Sequence, residues 1–252
     1  MKLNVIIGRF QPLHEEHVRL IQYALDTADQ TLVLIGCSDE DGYSKKNPFT
    51  FEERASLIND HFLGNSLITL PLKDVKCNDS WVELVAQTIR RIARQEENEV
   101  TFVCCNKDST TTKSNDLLKD LFPIKYLEAT QNLNASEIRT KFFNGDLKYI
   151  TCIPHATQQF LAQTEQQLIQ DCEVVVVLLT AGETSIKTAI RSADLPFTEW
   201  KLSYLYSYID QRLVSCFKCG EYKTPQQFGH STTQEVFETL VVCKCCQGVE
   251  SD

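Results

Sequence analysis

The first 162 residues alternate between short apolar runs and longer segments of helical period, and this rhythm limits the fold more than any other feature. The runs are "LNVIIG", "TLVLIG", "SLITLPL", "EVTFVCC" and a weaker "IKYLEA". Between them lie "HEEHVRLIQYALDTA", "TFEERASLINDHFL", "SWVELVAQTIRRIARQ", "SNDLLKDLF" and "NASEIRTKFFNG". Strands that are apolar on both faces need cover on both faces, so the pattern predicts a parallel, doubly wound α/β sheet. Ligands of such sheets sit at the carboxyl ends of the strands, where the strand order reverses. Gly8 and Gly36 close the first two strands on that side. From 163 to 215 the rhythm breaks. "TEQQLIQD", "TSIKTAIRSAD" and "FTEWKLSYLYSYIDQRLV" read as helices, and "CEVVVVLLTAG" reads as a strand. Cysteines set apart residues 216–252. Three parts are therefore expected: 1–162, a connecting region of unassigned role at 163–215, and a small module at 216–252.

The chain has 252 residues, 42% of them hydrophobic, enough to bury a sizeable core. Its net charge of −9 argues against nucleic-acid binding and against an anionic membrane surface. No apolar run approaches the ~20 residues that a membrane-spanning helix needs. "MKLNVIIG" lacks the marks of a secretory leader. Cys37, Cys77, Cys104, Cys105, Cys152 and Cys172 are scattered, mostly beside apolar residues, as small buried hydrophobes of a reduced compartment would be. The expectation is a cytoplasmic protein.

The stretch "VIIGRFQPLHEEH", Val5 to His17, carries the chemistry of the first part. A helix start at a strand end offers backbone N–H groups and a positive dipole, both of which favour phosphate. Gly8 permits close backbone approach. Arg9 supplies a forked donor for phosphate oxygens. His14 and His17 lie one turn apart and share a helix face. As donors they would stabilise charge that builds during phosphoryl or nucleotidyl transfer. A second helix start lies in "NASEIR", where Ser136 is the expected cap and Arg139 adds positive charge. "NPFTFEER" contains a capping box, Thr50 with Glu53, and places Arg54 in the first turns of the next helix. Trp81 offers a flat face on which a cationic aromatic ring could stack.

"GRFQPLHEEH" resembles the GRFQPxHxGH signature of the HxGH nucleotidyltransferases, and more narrowly the nicotinamide mononucleotide (NMN) adenylyltransferases of archaeal type or of the Nudix-linked proteins. "NPFTFEER", "LKDVKCNDSWVELV" and "NASEIRTKFFNG" are similar to further motifs of that family and fall in its order. The resemblance covers about residues 3–162 and implies a Rossmann-like fold that transfers AMP from ATP to NMN. It implies catalytic roles for Arg9, His14, His17 and Arg139. ATP would be held by these residues with Gly8, Phe10, Lys107, Asp108 and Ser136. NMN would meet Asn47, Arg54, Asp74, Asn78 and Trp81, the indole stacking on nicotinamide. Mg²⁺ would arrive with the triphosphate. The family's glycine is replaced by Glu16, which brings bulk and negative charge toward an anionic ligand. Nicotinate mononucleotide, FMN or phosphopantetheine as substrate, or a retired nucleotide sensor, are the alternatives. The resemblance leaves a homo-oligomer open.

Five of the eleven cysteines crowd into the last forty residues. Cys216 and Cys219 form one C-x₂-C pair, Cys243 and Cys246 a second, with residues 220–242 between them. Four thiolates in two knuckles suit tetrahedral Zn²⁺, which would stabilise a segment too short for its own core. The module resembles a zinc ribbon, and no Nudix box is present in the sequence.

Overall fold

The computed structural model describes residues 1–38, 44–93, 99–106, 116–130, 134–144, 152–183, 185–215 and 220–224. Strands β1 (Lys2–Gly8), β2 (Gln30–Ile35), β3 (Leu67–Pro71), β4 (Glu99–Asn106) and β5 (Ile124–Glu128) form one sheet in the order β3-β2-β1-β4-β5. All four pairings are parallel. The order reverses between β1 and β4, which makes the carboxyl end of β1 the switch point.

Alternation along the strands sorts their side chains to two cores. On one face Ile6, Val33, Ile35 and Val103 pack with Leu20, Ile21 and Ala24 of α1 (Glu15–Asp26) and Ala55, Leu57 and Ile58 of α2 (Phe51–His61). On the other, Leu3, Val5, Leu32, Leu34 and Phe102 pack with Val85 and Ile89 of α3 (Asn78–Ile92). Most of these side chains are wholly buried, each stabilising the fold by about 1.5–3 kcal/mol relative to exposure. One buried polar group stands out in β1. Asn4 donates through Nδ2 to the Ala24 carbonyl (2.8 Å) and to Thr27 Oγ1 (2.9 Å), fastening the far end of α1 to the sheet.

The capping box before α2 forms as expected. Thr50 Oγ1 accepts from the Glu53 amide at 3.2 Å, and Glu53 Oε2 accepts from the Thr50 amide at 2.7 Å. Helix α4 (Ala135–Phe143) follows β5. Its cap is Asn134, whose side chain accepts from the Ser136 amide at 2.9 Å. That corrects the expectation for Ser136, which lies two positions past the cap.

The chain divides into two compact units, Met1–Leu161 and Ala162–Asp252. The second holds most of the 26-residue α5 (His155–Thr180), with α6 (Ile186–Ser192) and α7 (Glu199–Asp210). The "CEVVVVLLTAG" stretch is helical, not the strand that its valines suggest. Leu168, Cys172, Val175 and Leu179 are buried at helical spacing, while Val174 and Val177 are exposed. One buried stripe at that spacing outweighs β-propensity, which is a weak preference. A short antiparallel pair, β6 (Val214–Ser215) with β7 (Tyr222–Lys223), follows, and Gly220 at φ +74° sits just before β7. Among the described residues no helix is long and apolar enough to cross a membrane.

Candidate active site

The loop from β1 to α1 is held from several sides. The Gly36 amide donates to the Gly8 carbonyl at 2.9 Å, joining the carboxyl ends of β1 and β2. A Cβ on Gly8 would come within 2.9 Å of the Phe10 ring, so only glycine fits beneath it. Phe10 itself adopts φ +53° and is 1% exposed. Its ring lies 4.8 Å from that of His17, and the His14 and His17 rings stack at 3.6 Å. The two histidines thus form one unit, with His14 5% exposed at the start of α1. The first amide of the helix, on Glu15, donates to the Cys152 carbonyl at 3.2 Å and is already engaged.

Gln11 carries no functional signal in the sequence and proves central. It is 1% exposed. Its Nε2 donates to the Phe49 carbonyl (2.8 Å) and its Oε1 accepts from the Phe49 amide (3.0 Å), clamping this loop to the one before α2. Its own carbonyl accepts from Arg139 Nη1 at 2.7 Å. Arg139 Nη2 also donates to Ser136 Oγ at 3.0 Å. Burial pushes the Arg139 pKa below the usual guanidinium value, and the nearby Arg9 charge adds to that. Two like charges, one on the β1–α1 loop and one on α4, are thus near enough to repel, an arrangement that an anion would relieve. Arg9, Ser136 and Arg139 are brought near one another in this way, and the stacked His14 and His17 follow on the same β1–α1 loop and first turn of α1.

Arg54, expected as a mononucleotide ligand, is here held by main-chain oxygens at the strand ends. It is wholly buried. Nη1 donates to the carbonyls of Arg9 (2.6 Å) and Gly36 (2.8 Å), Nε to that of Thr50 (3.1 Å) and Nη2 to that of Cys37 (3.5 Å). Its forked head collects main-chain oxygens at the strand ends, a task that lysine geometry could not match. Asn47 is 1% exposed, in a turn where its amide donates to the Ser44 carbonyl at 3.1 Å. Asp74 lies exposed between β3 and α3 and Asn78 exposed at the first position of α3, and Asp74 Oδ2 accepts from Cys37 Sγ at 2.9 Å. Trp81 is half-buried in the first turn of α3 against the second core. Lys107 and Asp108 lie outside the described residues, as do Cys216, Cys219, Cys243 and Cys246. Among the described residues no group of three or more His, Cys, Asp or Glu could hold a metal ion.

Glu16 is engaged by the protein itself. Thr130 donates to its Oε1 through both amide (3.2 Å) and hydroxyl, and Arg19 Nη2 donates to Oε2 at 3.0 Å. Burial alone would raise its pKa, but these hydrogen bonds and the Arg19 charge hold the carboxyl below its usual range.

A parallel sheet with a cationic, imidazole-bearing loop at its switch point defines a nucleotidyltransferase-type α/β protein. Residues 5–141 match the sequence pattern of the cytidylyltransferase-like proteins, and the chain belongs to that family. It is 23% identical over 203 residues to a nicotinamide-nucleotide adenylyltransferase of Thermococcus kodakarensis, covering 76% of this chain and 97% of that one. It is 29% identical over 174 residues to one of Halobacterium salinarum, covering 66% and 88%. The Thermococcus alignment is longer than Met1–Leu161, so the likeness runs into the second unit. Among solved structures, a bifunctional NMN adenylyltransferase/ADP ribose pyrophosphatase from Francisella tularensis shares the fold, with a TM-score of 0.57 and 24% identity. The match covers 78% of this chain but 57% of that one. The chain is thus a member of the cytidylyltransferase-like family with similarity to nicotinamide-nucleotide adenylyltransferases.

Proposed function

We propose that this chain is a nicotinamide-nucleotide adenylyltransferase, which transfers the AMP of ATP to NMN and releases pyrophosphate. An oxygen of the NMN phosphate attacks the α-phosphorus, and the bond to the bridging β-oxygen breaks. The nucleophile is already anionic at neutral pH, so no general base is needed. Catalysis then rests on aligning two anions and on spreading charge off the leaving pyrophosphate. Arg9, His14, His17 and Arg139 supply the donors. Mg²⁺ arriving with the nucleotide would offset phosphate charge alongside these donors. Trp81, Asp74 and Asn78 take the nicotinamide and its sugar.

The observation that carries this reading is the bond from Arg139 to the Gln11 carbonyl, which joins α4 to the β1–α1 loop at the switch point. The test is to incubate the purified protein with ATP, Mg²⁺ and NMN and to assay NAD and pyrophosphate. Turnover with nicotinate mononucleotide, FMN or phosphopantetheine alone would move the substrate assignment. Tight nucleotide binding with no product would make the chain a sensor.

We also infer that Cys216, Cys219, Cys243 and Cys246 hold a structural Zn²⁺. The four thiolates have the required chemistry, and β6 and β7 pair on either side of the first two. One equivalent of zinc by elemental analysis, lost in Cys216→Ser, is the expected result.

A further inference from the structure

Glu16 and Arg19 lie one turn apart on α1 and form an ion pair at 3.0 Å. Each also reaches across to the end of β5. Glu16 accepts from Thr130, and Arg19 Nη2 donates to the Glu128 carbonyl at 2.5 Å. The carboxylate is 5% exposed and both its oxygens already accept hydrogen bonds. It is therefore poorly placed to bind a ligand and well placed to bind the protein to itself. Thr130 stands four positions before Asn134, the cap of α4, and α4 carries Ser136 and Arg139. Separately, Arg139 is tied to Gln11 of the β1–α1 loop. The start of α1 thus meets the β5–α4 connection at one point and α4 itself at another.

We propose that Glu16 and Arg19 form a brace that sets the spacing between the starts of α1 and α4, so that Arg139 is held opposite Arg9 and the histidine pair. Glu16, at the position where the family usually has glycine, acts as a positioning residue through Arg139 and not as an obstacle to the nucleotide. This rests on the adenylyltransferase reading for its kinetic consequence, but not for its structural one.

The experiment has two arms. In the first, amide hydrogen exchange is followed without ligand in wild type, Glu16→Gly and Thr130→Val. The brace requires faster exchange over residues 135–143 in both variants, with exchange in β1 and β2 unchanged. Unaltered exchange in 135–143 would overturn it, whether or not the protein makes NAD. In the second arm, kcat and KM are compared in Glu16→Gly, Arg139→Ala and the double variant. Misplacing a catalytic donor by a fraction of an ångström lowers kcat about tenfold, with KM for NMN unchanged. The loss in Glu16→Gly should vanish in the Arg139→Ala background, because coupled residues are non-additive. Glu16→Gln, which still accepts from Thr130, should recover part of the rate. Improved kcat/KM for ATP in Glu16→Gly, or fully multiplicative losses, would refute the role. Absence of turnover in wild type would sink the adenylyltransferase reading and leave the exchange result to judge the brace.

Discussion

The two sides of the candidate site are built differently. On the phosphate side Phe10, Gln11, Leu13, His14 and Arg54 are buried, and the loop carbonyls of Arg9, Gln11 and Gly36 each accept from a guanidinium. On the side between β3 and α3, residues 73–80 are all exposed and Trp81 is half-buried. The difference follows from the chemistry each side would serve. Stabilising charge in a transition state depends on donors fixed before the reaction, because reorganisation during it is costly. Holding a flat ring needs only an apolar face and a few polar neighbours, and these can adjust.

Mutation should separate the two sides, and the largest effect belongs to the first. Arg139→Ala removes one preorganised donor and should lower kcat by about a hundredfold to a thousandfold, read in steady-state NAD synthesis. Little change would show that the two helix starts do not share an anion. Next, Arg54→Met deletes several charge-assisted bonds from the strand ends. It should destabilise the protein by about 3 kcal/mol in urea unfolding. Arg54→Lys should not restore that, since an ammonium cannot reach the same carbonyls. If Arg54→Met instead folds normally and loses only NMN affinity, the contrast between a built side and an open side breaks. A smaller loss is expected across the site. Trp81→Ala should raise KM for NMN about tenfold with kcat nearly intact, the size of one stacking contact.

Two finer measurements sharpen the contrast. Cys77 is exposed at the start of α3, where the Ser80 amide, the Ser80 hydroxyl and the Asp79 amide lower its pKa. Burial pushes Cys104 and Cys172 up to about 12. Limited alkylation followed by peptide mass spectrometry should mark Cys77 first and leave Cys104 and Cys172 unmodified in the folded protein. The smallest effect concerns acid. The Glu16 pKa is depressed by folding, so its stabilisation is present above the usual carboxylate range and disappears as pH falls through the lowered value. The difference in melting temperature between wild type and Glu16→Gln should be constant from neutrality to about pH 5 and shrink below about pH 4.

Much of the first unit was legible because apolar strands and amphipathic helices differ in period, and a change of period is visible residue by residue. The same logic failed over Val174–Val177, where four consecutive valines look like a strand at any period and only the partners of Cys172, Val175 and Leu179 decide the outcome. The functional motif was legible as a set of donors at a helix start. The carriers of its geometry were not. Gln11 matters because a loop 38 positions away arrives beside it, and no local pattern records that meeting. Arg54 reads as a ligand because cations at helix starts are usually solvated or bound to anions; here the ends of β1 and β2 present carbonyls that only a fork can gather. For Glu16 the charge was legible but not its direction, which depends on where β5 ends.

Asn4, buried in the first strand, has a bearing on how this site could change over time. It fastens the last turn of α1 to the sheet. One residue inserted between Leu20 and Ala24 would swing the histidine pair by about 100° around the axis relative to that anchor. Descendants of this sequence can therefore exchange side chains along α1, but they inherit its length.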